Sequence, residues 1–375
     1  MAFKFIHTAD WQLGAPFAGY ASDLSGQLKA ARRDVIVTIA NIAREEGVAH
    51  VVVAGDVWDS ETPSDATLAQ PLELMAEAKH VTWWLMPGNH DVNGKARLWT
   101  RVAQKKSSNV RLLLTAEPVE AEPGVWFLPA PWDNKAPGRD LTAAMDSAQT
   151  PEGVIRIGIA HGSVEDFASE TAAVTRIAKN RPDTANLDYL ALGDWHGTRQ
   201  MGPRLWYSGT PEPDRHVDND RGAVLVVSIE AQGAVPIVKS VRSAKFAWPV
   251  IALELFGPED IARIIPAVVG EGAARMTLAR LSLSGRLAHA DRQALSGVLA
   301  DLEARLAYLD VRDQELEVIV EASDLDTLDA TGSVRAAADE LLMRKLNPAL
   351  SAGERANAGR ALDLLFTFAS SKSED

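Results

Sequence analysis

Short apolar runs, each closed by Gly, Pro, Asp or Asn, punctuate the first two-thirds of the chain. Phe3–His7 (ending at Thr8-Ala9-Asp10), Val51–Ala54, Val81–Met86, Val110–Leu114, Val125–Pro129, Ile155–Ala160, Tyr189–Leu192 and Ala223–Ile229 are of this kind, and such runs predict strands. Between the first two, Leu28–Glu46 places Val35, Ile36, Ile39 and Ile42 on one helical face. Strands separated by helices predict a layered α/β domain. The pattern breaks at Lys239–Pro249, where Arg242, Ser243 and Lys245 precede Trp248-Pro249, and then restarts. Val250–Leu255 and Glu315–Ala322 predict strands; Pro258–Val269, Asp291–Leu306, Val334–Leu346 and Glu354–Phe368 predict helices, and Ser370–Asp375 a frayed end. This second part reads as a smaller α/β domain without evident catalytic residues.

Composition narrows the class. A chain of 375 residues with 46% hydrophobic side chains has the length of two domains and enough apolar surface for a core. It has no cysteine, which excludes disulfides, thiolate metal sites and a cysteine nucleophile. The net charge is -13, shared as -7 over residues 1–240 and -6 over 241–375. That acidity argues against a nucleic-acid coat, but not against a nuclease whose carboxylates hold metal. The N-terminus turns polar too soon for a secretory signal, and no apolar run approaches the roughly 18–20 residues of a membrane span. A soluble, cytoplasmic protein is expected.

The ends of the predicted strands carry the chemistry. Asp10-Trp11-Gln12 follows the first, Gly55-Asp56-Val57-Trp58-Asp59 the second and Gly88-Asn89-His90-Asp91 the third. His161-Gly162 follows Ile155–Ala160, and Gly193-Asp194-Trp195-His196 follows Tyr189–Leu192. Ligand-binding groups of α/β sheets gather at the carboxyl ends of strands. Five such loops can therefore meet at one point, and their hard oxygens and imidazoles suit a pair of divalent ions about 3.5–4 Å apart. Taken singly, each residue has an ordinary reading: Asp10 or Asp56 as a cap or turn residue, His161 as a satisfied core histidine. His7 and His80 are assigned to structure, and nothing marks Asp133 or Asp214 as ligands.

This ordered set resembles the calcineurin-like metallophosphoesterases, whose pattern is D-x-H, G-D-x-x-D, G-N-H-D/E, a lone H-G and G-H-x-H. The likeness covers about residues 1–240. His7-Thr8-Ala9-Asp10-Trp11, Leu128-Pro129-Ala130-Pro131-Trp132 and Trp206-Tyr207-Ser208-Gly209-Thr210-Pro211-Glu212 are similar to the SbcD-like double-strand-break repair exonuclease branch. The resemblance implies a β-sandwich flanked by helices as a catalytic domain over 1–240, with a small α/β capping domain over 248–375. It implies Asp56 bridging two metal ions, Asp10 and His196 completing one site, and Asn89, His161 and Asp194 the other. His90 would face the phosphate, with Asp59 orienting it. Two positions depart from the pattern: Gln12 replaces the histidine of D-x-H, and Asp194 replaces the first histidine of G-H-x-H. Gln12 could bind directly, through water or not at all. Both changes enrich the cluster in oxygen, which favours Mn²⁺, or Mg²⁺, over Zn²⁺.

The resemblance makes DNA the expected substrate, single-stranded or as duplex ends, and admits a homodimer and an SbcC-like ATPase as partners. Val92–Ala116 contains Lys95, Arg97, Arg101, Lys105, Lys106 and Arg111 and no acidic residue. It reads either as a phosphate-backbone track or as a solvated helix face. Trp11, Trp58, Trp132, Trp195 and Trp206 either stack on splayed bases or wall the metal pocket. Arg199, Arg204 and Arg215 either meet phosphate or pair with carboxylates. The apolar residues of the last helix (Leu362, Leu364, Leu365, Phe366, Phe368) form either a docking face or its core side. Two other functions fit less of the pattern: a phosphodiesterase of small nucleotides, and a degenerate fold used as a scaffold.

Overall fold

The computed structural model describes residues 2–165, 176–217, 221–269, 273–319 and 332–371. The chain divides into two compact units, Met1–Phe246 and Ala247–Asp375. Along the first unit run β1 (Phe3–Thr8), α1 (Ser22–Glu45), β2 (His50–Ala54), α2 (Asp65–Glu77), β3 (Thr82–Met86), α3 (Leu98–Lys105), β4 (Val110–Leu112), β5 (Val119–Glu122), β6 (Val125–Ala130), β7 (Ile155–His161), β8 (Ser163–Val164), β9 (Arg176–Ile177), α4 (Arg181–Thr184), β10 (Tyr189–Gly193), β11 (Arg199–Gly202), β12 (Leu205–Tyr207), β13 (Ala223–Ile229) and β14 (Ile237–Arg242).

Two six-stranded sheets result, ordered β14-β13-β1-β2-β3-β4 and β11-β12-β10-β7-β6-β5. In the first, β1, β2, β3 and β4 are parallel; in the second, β6, β7, β10 and β12 are. Side chains alternate across a strand, and the apolar residues sort accordingly. Phe5, Val52, Trp84 and Leu225 of the first sheet meet Phe127, Ile157, Tyr189 and Ala191 of the second in one buried layer. Their neighbours Ile6, Val51, Val53, Trp83 and Leu85 pack instead against Val35, Ile36 and Ile39 of α1, Leu72 of α2 and Trp99 of α3. Leu128, Leu190 and Leu192 cover the outer face of the second sheet with Met145 and Leu187. This is a β-sandwich flanked by helices, and each fully buried large side chain contributes about 1.5–3 kcal/mol.

Helix α1 begins at Ser22, earlier than the apolar stripe predicts, because Ser22 and Asp23 are exposed and carry no stripe. The second unit contains β15 (Val250–Leu255), α5 (Pro258–Ala262), α6 (Ile264–Val269), β16 (Leu278–Ala288), α7 (His289–Arg305), β17 (Tyr308–Ile319), α8 (Ser333–Leu346) and α9 (Ala352–Ser371). Its three strands form a parallel sheet, β15-β16-β17, packed through Leu281, Leu283 and Leu287 against Leu295 and Leu302 of α7. The helix expected over 258–269 is two short helices. Strand β16 is additional to the apolar runs, since Arg280, Ser282 and Ser284 alternate with its leucines. Residues 320–322 of the strand expected over 315–322 lie outside the described residues. Among the described residues, no helix is long and apolar enough to cross a membrane.

Candidate metal centre

The loops that follow β1, β2, β3, β7 and β10 meet. The loops after β1 and β2 prolong the ladder, with the Asp10 amide donating to Gly55 O (3.1 Å), Gln12 to Asp56 O (2.9 Å) and Leu13 to Val57 O (2.9 Å). From the other sheet the Asp194 amide donates to both carboxylate oxygens of Asp10, at 3.1 and 3.2 Å. Three glycines permit the approach. A Cβ on Gly193 would stand 2.1 Å from Ala54 O, one on Gly88 2.2 Å from Asp56 Oδ1, and one on Gly55 2.2 Å from His161 Nδ1. Asp10 (φ 54°), Gln12 (φ 43°), Asp56 (φ 54°) and Asp194 (φ 97°) adopt left-handed backbone, which non-glycine residues seldom hold without compensation. Phe17, Arg97 and Asn186 share this conformation, but these four are the ones that the sequence marks for metal chemistry.

Asp10, Asp56 and His161 each turn a ligand atom to one point, all within 4.8 Å of one another, and all three are buried. The His161 Nδ1–H donates to Ala54 O at 3.0 Å, so Nε2 faces the cluster. It lies 2.9 Å from Asn89 Oδ1, 3.5 Å from Asp56 Oδ2 and 4.0 Å from Asp194 Oδ1. Burial alone would lower the His161 pKa, but Asp56, Asp10 and Asp194 raise it well above the ordinary value. The surrounding carboxylates thus favour the protonated imidazole. Burial pushes the Asp10 carboxyl up to about 6, against the pull of His196 and His161. It acts upward on Asp56 too, but the His161 and His90 contacts overcome it and hold that carboxyl below its usual range. Crowded buried carboxylates, an imidazole nitrogen and an amide oxygen make a donor set that fits hard divalent cations.

Gln12 Nε2 lies 3.2 Å from His196 Nε2. His90, 42% exposed at its side chain, receives its backbone position from Asp56 Oδ1, which accepts its amide at 2.9 Å. The His90 Nδ1–H donates to the backbone carbonyl of Asp59 at 3.1 Å; the Asp59 carboxylate is farther, at 3.8 Å. Orientation of His90 by Asp59 thus runs through the carbonyl more than the carboxylate. Gln12, Asp56, Asp59, Asn89, His90, Asp194 and His196 all line one open cavity of about 570 Å³, together with Phe17, Tyr20, Asp214 and Arg215.

The five basic residues Lys95, Arg97, Arg101, Lys105 and Lys106 do not line that cavity. Lys95, Arg97 and Lys105 are exposed. Arg101 donates to Pro63 O and Asp65, both at 3.1 Å, and Lys106 to Val110 O at 2.8 Å, so these two serve the fold. Trp11 and Trp58 are fully buried and Trp132 nearly so. Their ring N–H groups donate to Thr8 Oγ1, Thr67 O and His161 O, which makes them buttresses of the ligand loops and not stacking platforms. Arg204 binds Asp188 and the carbonyls of Gly233 and Ala234. His7, pushed down to about 3 by burial, bonds Tyr189 and Leu192 O, and His80 bonds Ala40 O; both are structural. In α9, Leu362 is buried and Leu364 exposed, while the side chains of Phe366 and Phe368 lie outside the described residues.

Three further residues support the centre. Asp91 accepts the amides of Gly88 (2.7 Å) and Trp58 (3.1 Å), tying two ligand loops together; burial and Asp56 push its carboxyl up to about 7. Arg32, buried in α1, donates to Trp11 O (2.8 Å) and Glu212 O (3.0 Å). Asp214 Oδ2 lies 3.2 Å from His196 Nδ1. Burial acts upward on the Asp214 carboxyl, but His196, Arg32 and Arg215 hold it well below the carboxylate range. Arg32 was detectable as a charge at helical spacing within the stripe of Leu28, Val35 and Ile36. Asp91 stands in the Gly-Asn-His-Asp motif, whereas its tie to Trp58 and the contact of Asp214 with His196 are tertiary.

The calcineurin-like phosphoesterase family model matches residues 3–227, and the chain belongs to that family. The DNA double-strand break repair protein Mre11 of Methanosarcina acetivorans is 23% identical over 239 residues, covering 61% of this chain and 37% of that protein. The chain thus spans little more than a third of that relative's length. Among solved structures, a Thermus thermophilus protein aligns with TM-score 0.42 at 10% identity, over 65% of this chain and 100% of its own. A dimetal phosphatase from Danio rerio aligns with TM-score 0.38 at 13% identity, over 64% and 98%.

Proposed function

We propose that the chain is a metal-dependent DNA nuclease of the SbcD-like kind, holding two divalent cations, Mn²⁺ by preference and Mg²⁺ as substitute. Residues 1–240 are the catalytic domain and 248–375 a cap. In this reading Asp56 would serve both ions, Asp10 and His196 with Gln12 would hold one, and Asn89, His161 and Asp194 would hold the other. Bound cations supply charge that polarises a phosphodiester and lowers the pKa of water. The chain's own residues do the rest. His90 presents Nε2 to the leaving oxygen as proton donor or charge stabiliser. The Asp59 carbonyl fixes its ring, and the buried tryptophans hold the loops still.

The observation that carries the phosphoesterase chemistry is the convergence of Asp10, Asp56 and His161 within 4.8 Å, deep in the fold, with both aspartates on left-handed backbone. The DNA substrate rests on the likeness to the repair protein. An SbcC-like ATPase and a cytoplasmic setting belong to the same proposal. The test is Mn²⁺-dependent cleavage of linear, circular single-stranded and hairpin DNA, with His90→Ala and Asp56→Ala as controls. Cleavage lost in both variants is expected. No metal-dependent cleavage of any DNA or model diester would contradict it, and tight Zn²⁺ binding without Mn²⁺ activation would contradict the metal preference. A cavity of about 570 Å³ is also of small-ligand size. It favours, as a second reading, a phosphodiesterase of small nucleotides, which would keep its activity when Lys95, Arg97 and Lys105 are neutralised.

A further inference from the structure

His196 is buried and both of its ring nitrogens are engaged. Nε2 faces the Gln12 amide nitrogen at 3.2 Å, a donor that needs an acceptor. Nδ1 faces Asp214 Oδ2 at 3.2 Å, an acceptor that needs a donor. With the Gln12 amide nitrogen toward Nε2, the neutral tautomer with its hydrogen on Nδ1 is the one that satisfies both. A third contact competes, because Arg215 Nη2 also lies 3.2 Å from Nδ1, and a guanidinium cannot accept. Asp214 prevails on rigidity. Its Oδ1 is held at 2.6 Å by Arg221, whose side chain is 8% exposed, whereas the Arg215 side chain is 59% exposed and sits against the same carboxylate through Nε at 3.4 Å.

We propose that Asp214 is a positioning residue that fixes His196 in its Nδ1–H tautomer and so turns the Nε2 lone pair into the cavity as a cation ligand. The inference rests on the metal-centre reading above and adds the residue that prepares one of its ligands. A histidine ligand whose other ring nitrogen donates to a carboxylate is locked in orientation and made more basic, and loss of such a partner costs about 10–100-fold in metal affinity. Gln12 fits the same picture: its amide N–H occupies the direction from which a cation would meet Nε2.

The test has two readouts. Long-range ¹H–¹⁵N spectra of the metal-free wild-type protein should show His196 as the Nδ1–H tautomer, and Asp214→Asn should shift it toward Nε2–H or a mixture. This needs no bound metal. Mn²⁺ titration followed by electron paramagnetic resonance should then show Asp214→Asn weakening one of two ions by about 10–100-fold and leaving the other unchanged. In a His196→Gln background the same substitution should cost little more, since its effect runs through the imidazole. An Nε2–H tautomer in wild type, a tautomer indifferent to Asp214→Asn, or equal losses with and without His196 would overturn the proposal. Failure of the wild-type protein to bind Mn²⁺ would instead refute the metal-centre reading, leaving the tautomer result to decide the positioning role.

Discussion

A carboxyl group with no surface in water, as at Asp10, is stable in the metal-free protein only if it takes up a proton or finds a cation. Its pKa of about 6 makes the two compete, and His161 must likewise give up a proton. Divalent-cation affinity should therefore fall with falling pH, by up to about tenfold per pH unit for each proton displaced, and most steeply below pH 6. A titration at pH 5, 6, 7 and 8 with flat affinity would refute this. The sign for stability follows from the same shift. A carboxyl raised on folding contributes stability below its unfolded pKa of about 4, and that contribution is lost as pH rises through about 6. The cation-induced rise in Tm should accordingly be larger at pH 8 than at pH 5. His90→Ala should lower kcat by about 10²–10⁴-fold with cation affinity unchanged, because His90 touches the ligand Asp56 only through its backbone amide and, at 3.9 Å, its ring. Asp10, Asp56, Asn89, His90, His161 and His196 were all readable as one ordered motif set. Asp214 and Arg32 were not singled out, because what they do depends on partners 18 to 180 residues away in the chain; Asp91 stood in the Gly-Asn-His-Asp motif, but its tie to Trp58, 33 residues away, was not readable.

Strands and loops bring these side chains together, and the glycines show how little room the elements leave. Gly193→Ala would drive a Cβ into Ala54 O of the opposite sheet. It should destabilise by about 1–3 kcal/mol or more and weaken cation binding. Gly26, exposed within α1 with nothing near its Cβ position, is the matched control. Gly26→Ala should stabilise by about 0.5–1 kcal/mol, and urea unfolding of both variants measures the contrast. Similar losses at the two sites would contradict the packing account. The inner strands β1, β2, β3, β6, β7, β10 and β13 were legible because they are apolar on both faces, whereas the three-residue inner strand β12 was not. Strands β5, β11 and β14 were not: each is an edge strand with mixed exposure, and its polar residues resemble loop.

At the scale of the molecule, the proposed DNA substrate raises the question of how an acidic chain would meet a polyanion. Two divalent ions would offset the charge of Asp10, Asp56 and Asp194 at the centre itself. The exposed Lys95, Arg97 and Lys105 follow the Gly-Asn-His-Asp loop without entering the cavity. If they track the backbone, neutralising all three should reduce the slope of log K against log salt by about 0.7–0.9 for each phosphate no longer neutralised. Neutralising Arg101 and Lys106 should instead reduce stability, as each satisfies a backbone carbonyl. An unchanged slope in the first variant would leave those residues as a solvated face. The central claim is that this centre hydrolyses phosphodiesters with bound metal, and it is tested most directly by stripping the protein of metal and titrating Mn²⁺ back while following hydrolysis of a model diester, in wild type and Asp56→Asn. The account predicts no hydrolysis without metal, activity saturating at two Mn²⁺ per chain, and loss in Asp56→Asn. Metal-independent hydrolysis, or wild-type activity in Asp56→Asn, would contradict it.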